Sequence, residues 1–305
     1  MGCPCSQGLR KTTPVRQLHN SVASALSDNH NKTQPSLYPQ EKIGMEIDKT
    51  KFSPEAQVLI DLLQSPEWPE AISPLLICSN SEEEKIERAK NIIDYINFDF
   101  KNKKVLDFGC GEGHVAAQLA KTAALSVGYD IVQSGNLTWD KPNPHLLTTD
   151  FAKVQANGPY DFVILYDVLD HTADPLFTLK QIKLLCSDNA KLFIRFHIWM
   201  GRHGGHLYKT LNKAWAHLIF TPEEFQLMGI KLEPIHKYYY PIVAQKQWIQ
   251  QAGYKLKSES LVSSIVEPFF KKKEIMDRLP LKEYQGNFPE WQMSQTFNDY
   301  IATVN

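Results

Sequence analysis

Three glycines at alternate positions, Gly109, Gly111 and Gly113, stand between an apolar run and a helical pattern. Lys104-Val105-Leu106-Asp107-Phe108 reads as a strand of a parallel sheet, and His114 to Ala120 as a helix lying against it. Glycine has no Cβ, so a loop built this way turns sharply and lets backbone N–H groups come close to a ligand. A strand, a glycine loop and a helix in this order form the unit with which doubly wound α/β proteins bind nucleotide-like cofactors. The dinucleotide fingerprint Gly-x-Gly-x-x-Gly is not met. Its third glycine position holds His114, and the glycine falls one residue early.

The chain after this loop supplies what a nucleoside cofactor needs. Leu125-Ser126-Val127-Gly128-Tyr129-Asp130 is a short strand ending in an acid, 17 residues after Gly113. A carboxylate there can accept from both hydroxyls of a ribose. His145-Leu146-Leu147-Thr148-Thr149 is a further strand, closed by Asp150-Phe151. Tyr160 to Tyr166 is a buried strand running into Asp167-Val168-Leu169-Asp170-His171, with Asp174-Pro175 beyond. Each acid also has a local reading: Asp130 ends a strand, Asp150 caps a turn, and Asp167 and His171 hydrogen-bond nearby.

Residues 105–113 resemble motif I of the class I S-adenosylmethionine-dependent methyltransferases, hydrophobic-hydrophobic-Asp-x-Gly-x-Gly-x-Gly, and residues 161–175 resemble their D-x-V-x-x-x-x-V-L-x-H-x-x-D-P run. The resemblance implies an α/β, Rossmann-like doubly wound sheet of about seven strands, with N-terminal helices and a C-terminal extension. It implies S-adenosyl-L-methionine as the cofactor. Gly109, Gly111 and Gly113 would then approach the methionine part, supported by Asp107. Asp130 would hold the ribose, and Asp150 and Phe151 the adenine. Tyr166 and Asp167 would face the methyl donor and the acceptor. The strand-four ending is similar to that of quinone-pathway and other small-molecule methyltransferases. A small or medium-sized acceptor is therefore expected, with an RNA, protein or glycan acceptor as the alternative and an inactive scaffold as a third reading. The Asn/Asp-Pro-Pro-Tyr/Phe run of base methylation is absent, and strand four ends in Tyr-Asp-Val-Leu-Asp-His rather than in the Pro-Cys pair of cytosine chemistry.

The most unusual segment follows the fifth strand, Lys191–Phe196, and runs His197-Ile198-Trp199-Met200-Gly201-Arg202-His203-Gly204-Gly205-His206. It leaves the carboxyl end of a central strand, where α/β ligand sites form. Histidine supplies acid/base capacity near neutral pH. His203 and His206, in a glycine-rich setting, are the first candidates for a general base, with His171 and His197 beside them. Histidines satisfying backbone groups in a glycine-broken loop are the alternative. The spacing His-x5-His-x2-His matches no common structural zinc pattern, so no metal is expected.

At 305 residues the chain suits one large domain with additions. Its net charge of −1 gives no bulk argument for a nucleic-acid partner. Between 231 and 282, ten Lys/Arg face five Asp/Glu, including Lys271-Lys272-Lys273; a solvated face is the ordinary meaning. No apolar run approaches a membrane span, and no basic start precedes an apolar core. The five scattered cysteines read as reduced thiols, so a cytoplasmic protein is expected. Met1-Gly2-Cys3-Pro4-Cys5-Ser6 fits an acylation pattern, although a lipid anchor is not the favoured reading.

The organisation follows from these signals. Residues 1–50 are polar and read as a disordered tail, and 51–100 as a helical flank or lid. Ser53-Pro54 opens a first helix, with Val58, Leu59, Leu62 and Leu63 as its apolar face; Ser81 to Glu84 is a capping box for the second. The methyltransferase-like core covers 101–270, with 200–245 as a substrate-side insertion and 255–270 holding the final two strands. Residues 271–305 form the C-terminal extension, with Trp291, Phe297 and Tyr300 as docking points.

Overall fold

The computed structural model describes residues 47–73, 81–132, 145–232, 242–263, 269, 272–279 and 293–304. The expected tail and its acylation pattern lie outside the described residues, as does Trp291. Order is already present before Ser53, because Asp48 caps a short 3-10 turn at Lys49–Lys51 through the Thr50 N–H.

Seven strands build one sheet: β1 (Lys104–Phe108), β2 (Leu125–Tyr129), β3 (His145–Thr148), β4 (Tyr160–Tyr166), β5 (Cys186–His197), β6 (Tyr254–Ser263) and β7 (Gln295–Val304). Their order is β3-β2-β1-β4-β5-β7-β6. The first five are parallel, and β7 runs antiparallel to both of its neighbours. The expected Rossmann-like α/β sheet is therefore present, with one correction. The final two strands do not both lie in 255–270: β7 comes from the last residues of the chain and inserts between β5 and β6. Such a pairing is non-local, so nothing in the spacing near residue 260 could announce it.

Helices cover both faces. Among the described residues they are α1 (Pro54–Gln64), α2 (Glu82–Ile96), α3 (His114–Leu119), α4 (Phe151–Asn157), α5 (Pro175–Lys183), α6 (Ala216–Ile219), α7 (Pro222–Leu227), α8 (Ile242–Gln251) and α9 (Lys273–Arg278). Successive strand residues point to opposite faces. Accordingly Leu106, Val163, Leu165, Leu192 and Ile194 pack with Leu179, Ile182 and Ile249 on one side. On the other, Val105, Phe162, Ile164 and Phe193 pack with Ile96, Phe100 and Leu119. Starts of helices agree with the sequence: Ser81 with Glu84, and Thr221 with Glu224, form complete capping boxes. In α1 the buried face is Ala56, Leu59, Ile60 and Leu63, while Val58 is exposed. The i, i+3, i+4, i+7 set is the one a 3.6-residue period puts on a single side.

A second group of side chains packs around Trp68. Trp68 donates from Nε1 to the Ala214 carbonyl at 2.8 Å and packs on Phe220 and Phe269. Asn212 bridges both backbone groups of Ile72. These contacts tie the segment after α1 to residues 207–228. The lysine cluster is neutralised where it is described: Lys272 pairs with Glu67 at 2.6 Å, and Lys273 pairs with Asp277.

Candidate active site

The strand order reverses between β1 and β4, and ligands of open α/β sheets bind outside the carboxyl ends of strands at such a point. The glycine loop leaves β1 there. Gly109 has φ +80°, and a Cβ on it would lie 2.4 Å from Val168 Cγ2. Gly111 has φ +53° but no atom within 4 Å of its Cβ position, so that side of the loop is open. Gly113 (φ +81°) caps α3. Asp130, at the end of β2, accepts from the Gly111 N–H at 2.8 Å and from the Val132 N–H at 3.2 Å. Asp107 is buried, and its Oδ2 has no hydrogen-bond partner among the described residues. Burial pushes its carboxyl up to about 7, partly offset by the Ala116 N–H and reinforced by the charge of Asp130.

Around this cradle the expected residues fall as follows. Asp150 is exposed and caps α4 through the Ala152 N–H at 2.9 Å, the local reading of that acid, with Phe151 turned onto Tyr129. The Tyr166 hydroxyl accepts from the Arg195 guanidinium, and its ring stacks with Phe193. It therefore belongs to a packed cluster on the sheet face and supports the β4 end from below. Two contacts join the loop to α2: Lys85 pairs with Glu112 at 2.6 Å, and His114 Nε2 lies 2.9 Å from Glu82 Oε1. Helix α2 thus flanks the glycine loop.

Beside the cradle, past β4 and β5, imidazoles and carboxylates converge. Asp167 (φ +57°) and His206 (φ +53°) both take left-handed backbone, which Asp and His tolerate better than most residues. Asp167 Oδ2 is 3.1 Å from His197 Nε2. Asp170 Oδ2 is 3.6 Å from His206 Nε2 and 3.7 Å from His171 Nε2. The rings of His197 and His206 lie 4.5 Å apart, and His203 sits 5.0 Å from His197. Burial pushes the Asp167 carboxyl up to about 7, against the pull of Arg195, and pushes His197 down to about 3. His203 is held well below its ordinary value by burial and by the neighbouring imidazoles. The flexible setting expected for His203 and His206 is not found, because a Cβ on Gly204 would meet the Trp199 carbonyl oxygen at 2.2 Å. The glycines serve close packing. Asp170 is the member that sequence reasoning undervalued; its signal was the Asp-His pair after β4.

A family model described as a methyltransferase domain matches residues 82–259, more than half of the chain, and spans the cradle and both strands that end beside it. The chain belongs to the class I S-adenosylmethionine-dependent methyltransferases. Among curated relatives, the chain is 35% identical over 162 residues to a ubiquinone biosynthesis O-methyltransferase of Dinoroseobacter shibae, covering 45% of the chain and 63% of that relative. It is 28% identical over 164 residues to a tRNA U34 carboxymethyltransferase of Vibrio atlanticus, covering 50% and 45%. It thus spans less than two thirds of the relatives it matches. A solved structure of magnesium protoporphyrin IX methyltransferase from Synechocystis with bound S-adenosylhomocysteine aligns at 15% identity and a TM-score of 0.42, over 75% of this chain and 91% of that one.

The methyltransferase cofactor fits these residues: the loop is open above Gly111, and Asp107 and Asp130 offer carboxylate oxygens beside it. Two results are expected. Gly111→Ala places a methyl group in that opening, so S-adenosylhomocysteine binding weakens at least tenfold in calorimetry. The folding cost stays at the about 1–2 kcal/mol of a left-handed L-residue. Asp107 holds its proton to about pH 7 in the folded protein but only to about its ordinary 3.8 when unfolded. Between these values the folded state binds more protons, so stability falls as pH rises from about 4 to about 7. Urea unfolding of Asp107→Asn against the parent checks this: the difference between the two must change across that window and level off above it.

Proposed function

We propose that the protein transfers the methyl group of S-adenosylmethionine to a small or medium-sized acceptor at an oxygen atom. The observation that carries this reading is the adjacency of two sites at the reversal of the sheet. One is the glycine cradle with Asp107 and Asp130; the other is the His/Asp cluster beyond β4 and β5. The cofactor supplies a methyl group activated by its sulfonium. Gly109, Gly111 and Gly113 bring backbone to the methionine part. Asp130 accepts from the ribose hydroxyls, and Asp107 presents a buried carboxyl oxygen beneath the loop. Asp150 and Phe151 close the adenine side.

On the acceptor side, Asp167, His171, His203 and His206 orient the incoming hydroxyl, and an imidazole of this group takes its proton as the new bond forms. Burial keeps His197 and His203 uncharged at neutral pH, so they accept hydrogen bonds rather than repel a cationic donor. The curated relatives named for ubiquinone biosynthesis support a small acceptor, and the internally paired lysines lend no support to a polyanionic one. Free thiols at Cys110 and Cys186 support a reducing, cytoplasmic setting.

The test is calorimetric titration with S-adenosylmethionine and with NADH as control, followed by transfer of a labelled methyl group to a panel of hydroxylated aromatic acceptors. Binding of the methyl donor alone, with label recovered in an acceptor, supports the reading. A folded protein that binds no donor would leave the scaffold reading in its place.

A further inference from the structure

Asp170 is 9% exposed, and neither of its carboxylate oxygens has a hydrogen-bond partner among the described residues. A buried carboxylate left in that state is costly unless a cation or a strong donor meets it. The groups facing it are imidazoles at 3.6 and 3.7 Å, beyond hydrogen-bond reach. One ligand atom each from Asp170, His197 and His206 fall within 4.8 Å of one another. Two ligands at about 2.1 Å from a tetrahedral ion stand about 3.4 Å apart, close to the His206–Asp170 separation. A small closure of the three side chains completes such a set. His197 Nδ1 is likewise buried without a partner, and Asp167 contacts the opposite ring nitrogen. A carboxylate in that place is what orients metal-ligating histidines.

We propose that Asp170, His197 and His206 bind a divalent first-row transition cation. Two imidazoles and one carboxylate favour such an ion over magnesium or calcium, which take oxygen ligands. Three protein ligands leave at least one coordination position open, as in catalytic rather than structural sites. The histidine spacing within 197–206 matches no structural zinc pattern because one ligand comes from another strand: Asp170 follows β4, and His197 ends β5. That the open position receives the acceptor's oxygen rests on the methyl-transfer reading; the binding itself does not.

The experiment uses the full-length, tag-free chain, stripped with a chelator and titrated with Co²⁺ while the visible absorption of the ion is followed, with Zn²⁺ as competitor. Asp170→Asn and His206→Asn are measured in parallel; Asn suits the left-handed backbone at 206. The expected result is one Co²⁺ per chain, displaced by Zn²⁺, with affinity at least tenfold lower in either variant and S-adenosylhomocysteine binding retained in both. Retained cofactor binding also shows that the variants are folded. No Co²⁺ bound, affinity unchanged in both variants, or binding abolished instead by Cys3→Ser with Cys5→Ser would overturn the proposal. Co²⁺ binding without S-adenosylhomocysteine binding would leave the metal site standing and remove the methyl-transfer reading.

Discussion

Asp299→Ala lowers the unfolding free energy by about 3–5 kcal/mol, the range for breaking one partner out of a buried ion pair. Arg195 on β5 stands directly opposite Asp299 on β7, and the two side chains are almost fully buried. The guanidinium donates through Nε and Nη2 to the two carboxylate oxygens at 2.7 and 2.6 Å, and Tyr95 from α2 donates to the same carboxylate at 2.6 Å. Tyr166, Tyr95 and Phe297 surround the cation with their rings, at 4.5, 4.9 and 4.5 Å. Removing Asp299 leaves a permanently charged, buried arginine without the carboxylate that pairs with it. The loss also loosens β7 from β5. Equilibrium denaturation reads the loss directly. The double variant Arg195→Met with Asp299→Leu is expected to recover much of it, since an apolar replacement leaves no buried charge behind. A loss below about 1 kcal/mol for Asp299→Ala would mean that the pair is solvated, and would sink the account.

The second large effect concerns the cofactor. Asp130→Ala weakens S-adenosylmethionine binding by about 100-fold, or about 3 kcal/mol, the scale of a carboxylate that accepts more than one hydrogen bond from a ligand. In the structure the acid is held by the Gly111 and Val132 N–H groups at the mouth of the cradle. It is therefore both placed for a ribose and part of what shapes the loop. Asp130→Asn keeps one acceptor oxygen and is expected to fall between the two, at about tenfold. Because the side chain is only half-buried, neither variant should shift the denaturation midpoint much. Calorimetry and denaturation together separate the outcomes. Affinity unchanged in Asp130→Ala would remove the ribose assignment, whereas a collapse of stability would show the residue to be structural.

What was legible in the sequence is local. The glycines after β1 demanded left-handed backbone, and all three adopt it. Capping boxes at Ser81 and Thr221 start their helices where the Ser/Thr-to-Glu spacing says they should. Apolar runs at 160–166 and 191–196 became buried central strands. The acid ending β2 accepts from the Gly111 N–H of the glycine loop. Residues with more than one local use were harder. Asp150 caps its own helix, Tyr166 is taken by Arg195, and the face of α1 was misread by including Val58.

The chain's own order of apolar, glycine and capping residues thus determined the parallel half of the sheet, the cofactor loop and the family. Each depends on contacts within a few residues or on the repeated strand–helix rhythm. Only the tertiary structure decided that β7 lies between β5 and β6, that Asp299 neutralises Arg195, and that Asp170 meets His197 and His206. Those partners are separated by long stretches of chain, and single-residue chemistry carries no record of a distant partner. The energy that selects them, burial of charge against opposite charge in a common layer, exists only after the strands have paired.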